Sequence, residues 1–217
     1  RTGMNVPINT LLESPPSTPV DDSHSTSQAI RKTALAMFAE HGFQAVSLRK
    51  LASALGLHPG SLYCHIKNKH ALLFELIEDY EDDLLEALQT ITPDSSPTER
   101  LKAYVETSLT HQRHNLQRAT LVNHEYRNLS KDQLTYINAI KNKQQILLEN
   151  IVRSCWDALG EYPREDITPL CRCIRIILNG VPDWQPQNAD LPLTVIDDRI
   201  YRLIWSLLNK PQSAFHT

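Results

Sequence analysis

Hydrophobic residues recur along the chain at helical spacing, and no stretch alternates apolar and polar positions as a half-buried strand would. The first apolar stripe predicts a helix from Thr26 or Ser27 to His41, which Gly42 ends. Similar stripes predict later helices that begin after Asn68, Ser96 and Ser130, at Asp166 or Thr168, and at Thr194. The pattern therefore predicts an all-α protein.

Several segments lack this periodicity and are expected to lie outside the helices. Residues 1–25 carry four prolines among Ser, Thr and Asp and are interpreted as a flexible arm. Residues 90–97 form a turn-rich boundary, and residues 116–128 form a short connecting segment. Gly180 to Trp184 is expected to break the penultimate helix, because it contains both glycine and proline.

Residues 47–69 predict two short helices joined by a tight turn. Ser47 can cap the first helix, Gly56 can end it in the left-handed region, and Pro59 suits the first position of the second helix. Leu62 can pack the second helix on the first. Small or polar residues then remain on the opposite side: His58, Gly60, Ser61, Tyr63 and His65. This arrangement is typical of a helix-turn-helix.

The charges are distributed unevenly around this hairpin. Residues 26–70 contain six cations and one anion, Glu40, although the whole chain has a net charge of −3. Residues 71–90 contain seven anions and no cation. A local excess of positive charge on a helical hairpin favours a nucleic-acid ligand over a plain structural hairpin.

Composition and motifs exclude several other classes of protein. The 217 residues contain no apolar run of the ~20 residues that span a bilayer, so we expect a soluble, cytoplasmic protein. The sequence has no nucleophile motif, glycine-rich phosphate loop or HExxH, so an enzyme is not expected. The four cysteines are expected to be free thiols, and alternate residues such as Cys171 and Cys173 face different sides of a helix. No resident metal or cofactor is predicted.

The stretch from Ile30 to Leu73 resembles the DNA-binding domain of the TetR family of bacterial repressors. The matching motifs are Phe38-x-x-x-Gly42-Phe43, Ser47, Leu51-Ala52, Gly56 and Gly60-Ser61-Leu62-Tyr63-x-His65 followed by Lys69. The chain departs from the family pattern at His58, Pro59 and Ile66, which leaves the individual base contacts open.

The resemblance implies a role for each matching position. Ser47, Tyr63 and Lys69 resemble phosphate contacts, and Arg49 or Lys50 would add a guanine or phosphate contact. Base edges would be faced by four positions of the hairpin: His58, Pro59, Gly60 and Ser61. His65 is a further DNA-binding candidate on the same side.

The resemblance also implies the domain organisation. After the arm, residues 26–70 would form the three-helix DNA-binding domain and residues 71–89 a connecting helix. Residues 90–217 would form a helical ligand-binding and dimerisation domain. The expected partners are double-stranded, palindromic operator DNA and a second copy of the chain, joined through the last two long helices. A membrane is not expected as a partner.

A small-molecule effector is also implied, and its chemistry stays open. Polar residues gather on helices expected to line its pocket: His111, His114, Arg118, His124 and Arg127. They suit an anionic ligand, a metal ion with Glu125, or solvated surface. A weak likeness of NHEYRNLS and LNGVPDW, which contains Trp184, to acyl-coenzyme A sensors suggests an acyl-CoA effector. The alternatives are a metal-responsive repressor and an architectural or ligand-independent DNA-binding protein.

Overall fold

A computed structural model describes residues 21–160, 167–184 and 192–209 of the chain. These residues form nine α-helices and one 3-10 turn, and they contain no strand. The helices are α1 (Asp21–His41), α2 (Leu48–Ala54), α3 (Pro59–Leu62), α4 (Lys69–Gln89), α5 (Pro97–His114), α6 (Leu116–Glu125), α7 (Lys131–Leu159), α8 (Ile167–Trp184) and α9 (Leu193–Leu208). The all-α prediction is confirmed.

The helix boundaries follow local signals that the sequence predicted. Ser47 and Asn68 accept backbone hydrogen bonds as caps of α2 and α4. Capping boxes begin α5 at Ser96 and α7 at Ser130. The chain leaves α1 at Gly42 and α2 near Gly56 with φ of 82° and 65°, in the left-handed region that glycine adopts at little cost.

Three predicted boundaries were wrong. Helix α1 begins at Asp21 rather than at Thr26 or Ser27. Extending a helix adds one hydrogen bond per residue, so it needs no further apolar stripe. Residues 116–128 are not a mere connection, because they form α6 and a 3-10 turn over residues 126–128. Helix α8 continues through residue 180 to Trp184 instead of breaking there. Residues 1–20 of the predicted arm lie outside the described residues.

Two hydrophobic cores organise the helices. The first core combines α1 to α4 with residues of α6 and the start of α7, including Phe38, Leu62, Leu72 and Leu121. The second combines the end of α4 with α5, the rest of α7, α8 and α9. Helix α4 therefore contributes buried residues to both cores and links them.

The acidic run on α4 makes ion pairs with three neighbouring helices. Arg31 of α1 pairs with Glu75, at 2.6 Å, and with Asp79. Arg118 of α6 lies 2.8 Å from Asp83. Not all acidic residues of α4 face solvent, because the carboxylate of Glu81 is buried against α7.

Candidate nucleic-acid interface and effector cavity

The helix-turn-helix has an apolar side and an exposed side. Leu51, Ala52 and Leu62 are completely buried and join the first core. Tyr63, the residue after Leu62, is 59% exposed although it is aromatic. The exposed tyrosine offers solvent a hydroxyl that can donate or accept a hydrogen bond.

The start of α2 presents polar groups to solvent. The Oγ atom of Ser47 accepts a hydrogen bond from the backbone N–H of Lys50, at 3.2 Å. The Nζ atom of Lys50 donates to the Ala45 carbonyl at 3.1 Å. The side chain of Arg49 is exposed. A hydroxyl and two cations at the start of a helix suit an anionic ligand such as a phosphate.

The start of α3 is built around a histidine cap that the sequence did not predict. The Nδ1 atom of His58 accepts a hydrogen bond from the Gly60 backbone N–H at 3.2 Å. A Cβ atom at Gly60 would lie 3.4 Å from that nitrogen, in ordinary van der Waals contact. Pro59 and Ser61 are exposed, and His65 is half-buried. The cap was missed because serine, threonine, aspartate and asparagine are the usual residues there.

Lys69, the first residue of α4, lies between the hairpin and α6. Its Nζ atom lies 4.1 Å from the centre of the Phe43 ring. Burial lowers the pKa of Lys69, and the nearby Glu125 carboxylate opposes that shift. Glu125, at the end of α6, also accepts a hydrogen bond from the Phe43 backbone N–H at 3.1 Å. The loop that leads into the helix-turn-helix is therefore tied to α6.

The five described residues proposed for the effector do not converge on one point. His111 is half-buried, its Nε2 atom has no hydrogen-bond partner among the described residues, and its ring centre lies 4.7 Å from that of Tyr80. Burial lowers the pKa of His111. Arg118 pairs with α4 as described above. The other three, His114, His124 and Arg127, are exposed.

Neither the sixth proposed residue nor a metal site joins them. The side chain of Trp184 lies outside the described residues. In the described ranges, no three His, Cys, Asp or Glu side chains lie close enough together to hold a metal ion.

The described part of the chain contains an internal cavity of about 30 Å³ where five helices, α4 to α8, meet. A buried polar network lines it. The Lys141 Nζ lies 3.2 Å from Glu81 Oε1, and Gln144 Nε2 donates to Glu81 Oε2 at 3.0 Å. Arg175 donates to Gln144 Oε1 at 3.0 Å. None of the five described residues proposed for the effector lines this cavity.

Sequence reasoning missed this network, although its residues interrupt apolar stripes. Glu81 is next to Tyr80 in the buried stripe of α4, and Gln144 lies on the buried side of α7. Arg175 stands between Ile174 and Ile176. A polar residue on an apolar helix face is a signal of a buried polar site, but the sequence gives no partner for it.

The cysteines have the environments expected of structural thiols. Cys64 and Cys173 are exposed, and Cys155 and Cys171 are buried. Burial raises the pKa of Cys155 to about 11 and that of Cys171 to about 12, so both stay protonated near neutral pH. Cys171 and Cys173 face different environments, as expected of alternate helical positions.

The helical fold and the hairpin with its exposed polar side define a helix-turn-helix protein. Two family profiles match the chain. Residues 30–76 match the profile "Bacterial regulatory proteins, tetR family", and residues 94–208 match "Tetracyclin repressor-like, C-terminal domain". The chain belongs to the TetR family of bacterial transcriptional regulators.

Individual relatives agree with this assignment. The HTH-type transcriptional repressor KstR2 of Mycolicibacterium smegmatis is 30% identical over 203 residues, which cover 93% of this chain and 98% of that protein. The match to KstR2 of Mycobacterium tuberculosis is 32% identical but covers only 52% of this chain and 56% of the relative.

Solved structures show the same fold. A tetR-family regulatory protein from Rhodococcus RHA1 covers 86% of this chain and 98% of its own, with a TM-score of 0.78 and 24% identity. The structure of AibR was solved in complex with isovaleryl coenzyme A and operator DNA. Its match covers 85% of this chain and 98% of the AibR chain, with a TM-score of 0.71 and 24% identity. Of the helices that the structure describes, none is long and apolar enough to cross a membrane.

Proposed function

We propose that this protein is a repressor that binds a palindromic operator as a homodimer and is released by a small molecule. Residues 26–70 would read the DNA, residues 71–89 would connect, and residues 90–217 would bind the effector and dimerise. The observation that carries the proposal is the exposed polar side of the hairpin, with Tyr63 in solvent directly beside the buried Leu62.

The DNA contacts follow from the chemistry of that surface. Ser47, Tyr63 and Lys69 would contact phosphates, and Arg49 or Lys50 would add a phosphate or guanine contact. The exposed turn around α3 would face the base edges with the positions His58, Pro59, Gly60, Ser61 and His65. Gly60 supports this assignment, because a residue without a side chain permits close approach of backbone to a base.

The path from effector to DNA would run through α4 and α6. Both helices line the internal cavity, and α4 begins at Lys69 beside the hairpin. Glu125 of α6 holds the Phe43 backbone N–H. A ligand that prefers a wider spacing of these helices would move the hairpin and weaken DNA binding, since half-sites demand recognition helices about 34–36 Å apart.

An acyl-CoA thioester is our candidate effector. AibR supports it, because that structural neighbour was solved with isovaleryl coenzyme A and operator DNA. The cavity volume of about 30 Å³ admits only one end of such a molecule, so the remainder would lie outside it.

A homodimer through α8 and α9 is supported by apolar side chains on these helices that remain in solvent. Ile176 of α8 is 70% exposed and Leu203 of α9 is 49% exposed. Most other apolar residues of the two helices, including Ile174 and Ile204, are buried in the second core. A symmetric interface through α8 and α9 would remove these exposed apolar side chains from water.

Fluorescence anisotropy on DNA from upstream of the protein's own gene tests the proposal. We expect Lys69→Ala to weaken binding to every sequence and to lower the salt slope by about 1 per subunit. Tyr63→Ala should also weaken binding to every sequence, whereas Ser61→Ala should change base preference. Lys102→Ala, which removes an exposed cation on α5, serves as the control. Wild-type binding by both Lys69→Ala and Tyr63→Ala would contradict the assigned surface.

A second titration tests release. Acyl-CoA thioesters of increasing chain length are added to the protein–DNA complex, with free coenzyme A as the control. Release by one chain length supports an acyl-CoA effector. DNA binding that no thioester disturbs would retain the DNA assignment and reject this effector.

A further inference from the structure

The internal cavity carries an excess of positive charge. Two cations, Lys141 and Arg175, line it together with one carboxylate, Glu81. Lys141 and Gln144 already hold both oxygens of Glu81, at 3.2 and 3.0 Å. The remaining charge at the cavity therefore belongs to Arg175.

Among the described residues, only neutral oxygens bind Arg175. Its two terminal nitrogens donate to the Lys141 carbonyl and to Gln144 Oε1, each at 3.0 Å. Within the described part of the chain it forms no ion pair with a carboxylate. A guanidinium has five N–H donors and stays protonated, and its fork matches a carboxylate better than it matches single carbonyl oxygens. Arg175 is thus equipped to receive an anionic group.

Two further polar groups line the same cavity. The side chain of Gln112 is 4% exposed, and its Oε1 atom has no hydrogen-bond partner among the described residues. A buried acceptor without a donor is costly, so it indicates a place for a ligand donor or a water molecule. Tyr104 is 2% exposed, and burial raises the pKa of its hydroxyl, which therefore remains a donor at neutral pH.

We propose that this cavity binds the carboxylate end of an organic acid effector. Arg175 receives the carboxylate, and Gln112 accepts a hydrogen bond from a hydroxyl or N–H near that end. This inference rests on the proposed effector-released repressor and names the chemistry of its ligand. The effector is a free carboxylic acid or a thioester whose acyl group ends in a carboxylate. A purely hydrocarbon acyl end would leave Arg175 and Gln112 unsatisfied.

The size of the cavity agrees with this chemistry. A volume of about 30 Å³ has room for roughly two water molecules, at ~10–15 Å³ each on this measure. A carboxylate has three heavy atoms and needs a similar space. The rest of the effector lies outside the cavity, so the site recognises an end group and not a whole molecule.

Matched ligand pairs test the proposal. Adipate, hexanoate and hexanamide are the free probes, and adipoyl-CoA and hexanoyl-CoA are the thioester probes. Thermal unfolding of the full chain measures binding to each. If the effector is a free acid, we expect the protein to bind adipate and hexanoate more tightly than hexanamide. If the effector is a thioester, we expect the protein to bind adipoyl-CoA more tightly than hexanoyl-CoA. In either case the expected preference is about tenfold or more.

Variants assign the preference to Arg175. Arg175→Gln should abolish the preference for the carboxylate end and leave affinity for the uncharged probe unchanged. Arg172→Gln, which changes an exposed arginine on the same helix, should behave as wild type. If Arg175→Gln does not fold by circular dichroism, Arg175→Lys keeps the charge and should retain a weakened preference.

Two results would overturn the proposal. One is equal binding of charged and uncharged ends with no effect of Arg175→Gln, and the other is no stabilisation by any probe. These results differ from a failure of the proposed repressor function, which would appear as no binding to DNA in the ligand-free titration. A carboxylate preference would still be measurable in a protein that did not bind DNA.

Discussion

Removing Lys141 should destabilise the protein far more than removing an ordinary surface lysine. The Glu81 side chain is 4% exposed, and the Lys141 ammonium, 3.2 Å away, is its only ion-pair partner among the described residues. Lys141→Met keeps the aliphatic stem but leaves this carboxylate buried without a countercharge. Breaking one side of a buried ion pair costs about 3–5 kcal/mol.

The structure places this variant near the lower end of that range. Gln144 still donates to Glu81 Oε2 and retains part of the stabilisation of the carboxylate. We therefore expect a loss of about 3 kcal/mol in the free energy of unfolding. For a chain of this size the loss corresponds to a fall of roughly 6–12 °C in Tm.

Removing the carboxylate instead of the ammonium should cost less stability. Glu81→Gln leaves the Lys141 ammonium without this ion-pair partner, but the Lys141 side chain is 25% exposed and can reach water. The double variant should be more stable than Lys141→Met alone, because position 81 then no longer carries a buried carboxylate without a countercharge.

Chemical denaturation followed by far-ultraviolet circular dichroism measures all three variants. Lys102→Met is the matched control, because Lys102 lies 3.8 Å from Glu106 in a pair whose members are both about half-exposed. Such a pair contributes at most about 0.5 kcal/mol. The reasoning is refuted if Lys141→Met costs no more than Lys102→Met, or if the double variant loses the sum of both single losses.

Two further predictions concern assembly and pH. Ile176→Glu should convert the proposed dimer to a monomer in sedimentation velocity. Ile146→Glu, at an exposed position on α7, should leave the proposed dimer intact. A dimer that Ile176→Glu does not change would place the interface elsewhere. Burial lowers the pKa of His111, so the unfolded chain binds a proton more readily and stability falls as pH drops below about 6.5. His111→Gln should reduce the loss of stability between pH 7.5 and 5.5, and the control His114→Gln, at an exposed position, should not. If the denaturation midpoint of His111→Gln changes with pH as steeply as that of the wild type, the buried His111 is not the cause.

The sequence by itself determined where most of the helices begin and which side of the hairpin is buried. Helices were predicted to begin after Ser47, Asn68, Ser96 and Ser130, and each of these residues accepts a backbone hydrogen bond from a residue three positions later. These interactions are local, so the residues that make them can be read together in the sequence. The buried side of the hairpin was predicted for the same reason, since a helical repeat is also a local pattern.

Only the tertiary structure decided which polar residues are buried together. Glu81, Gln144 and Arg175 come from three helices and are separated by 63 and 31 positions in the chain. The link from Glu125 to the Phe43 backbone spans 82 positions. Helical spacing shows which face a residue occupies, but it does not specify which other face will pack on it. The cavity and its chemistry arise from that packing, whereas the exposed hairpin follows from residues close together in the chain.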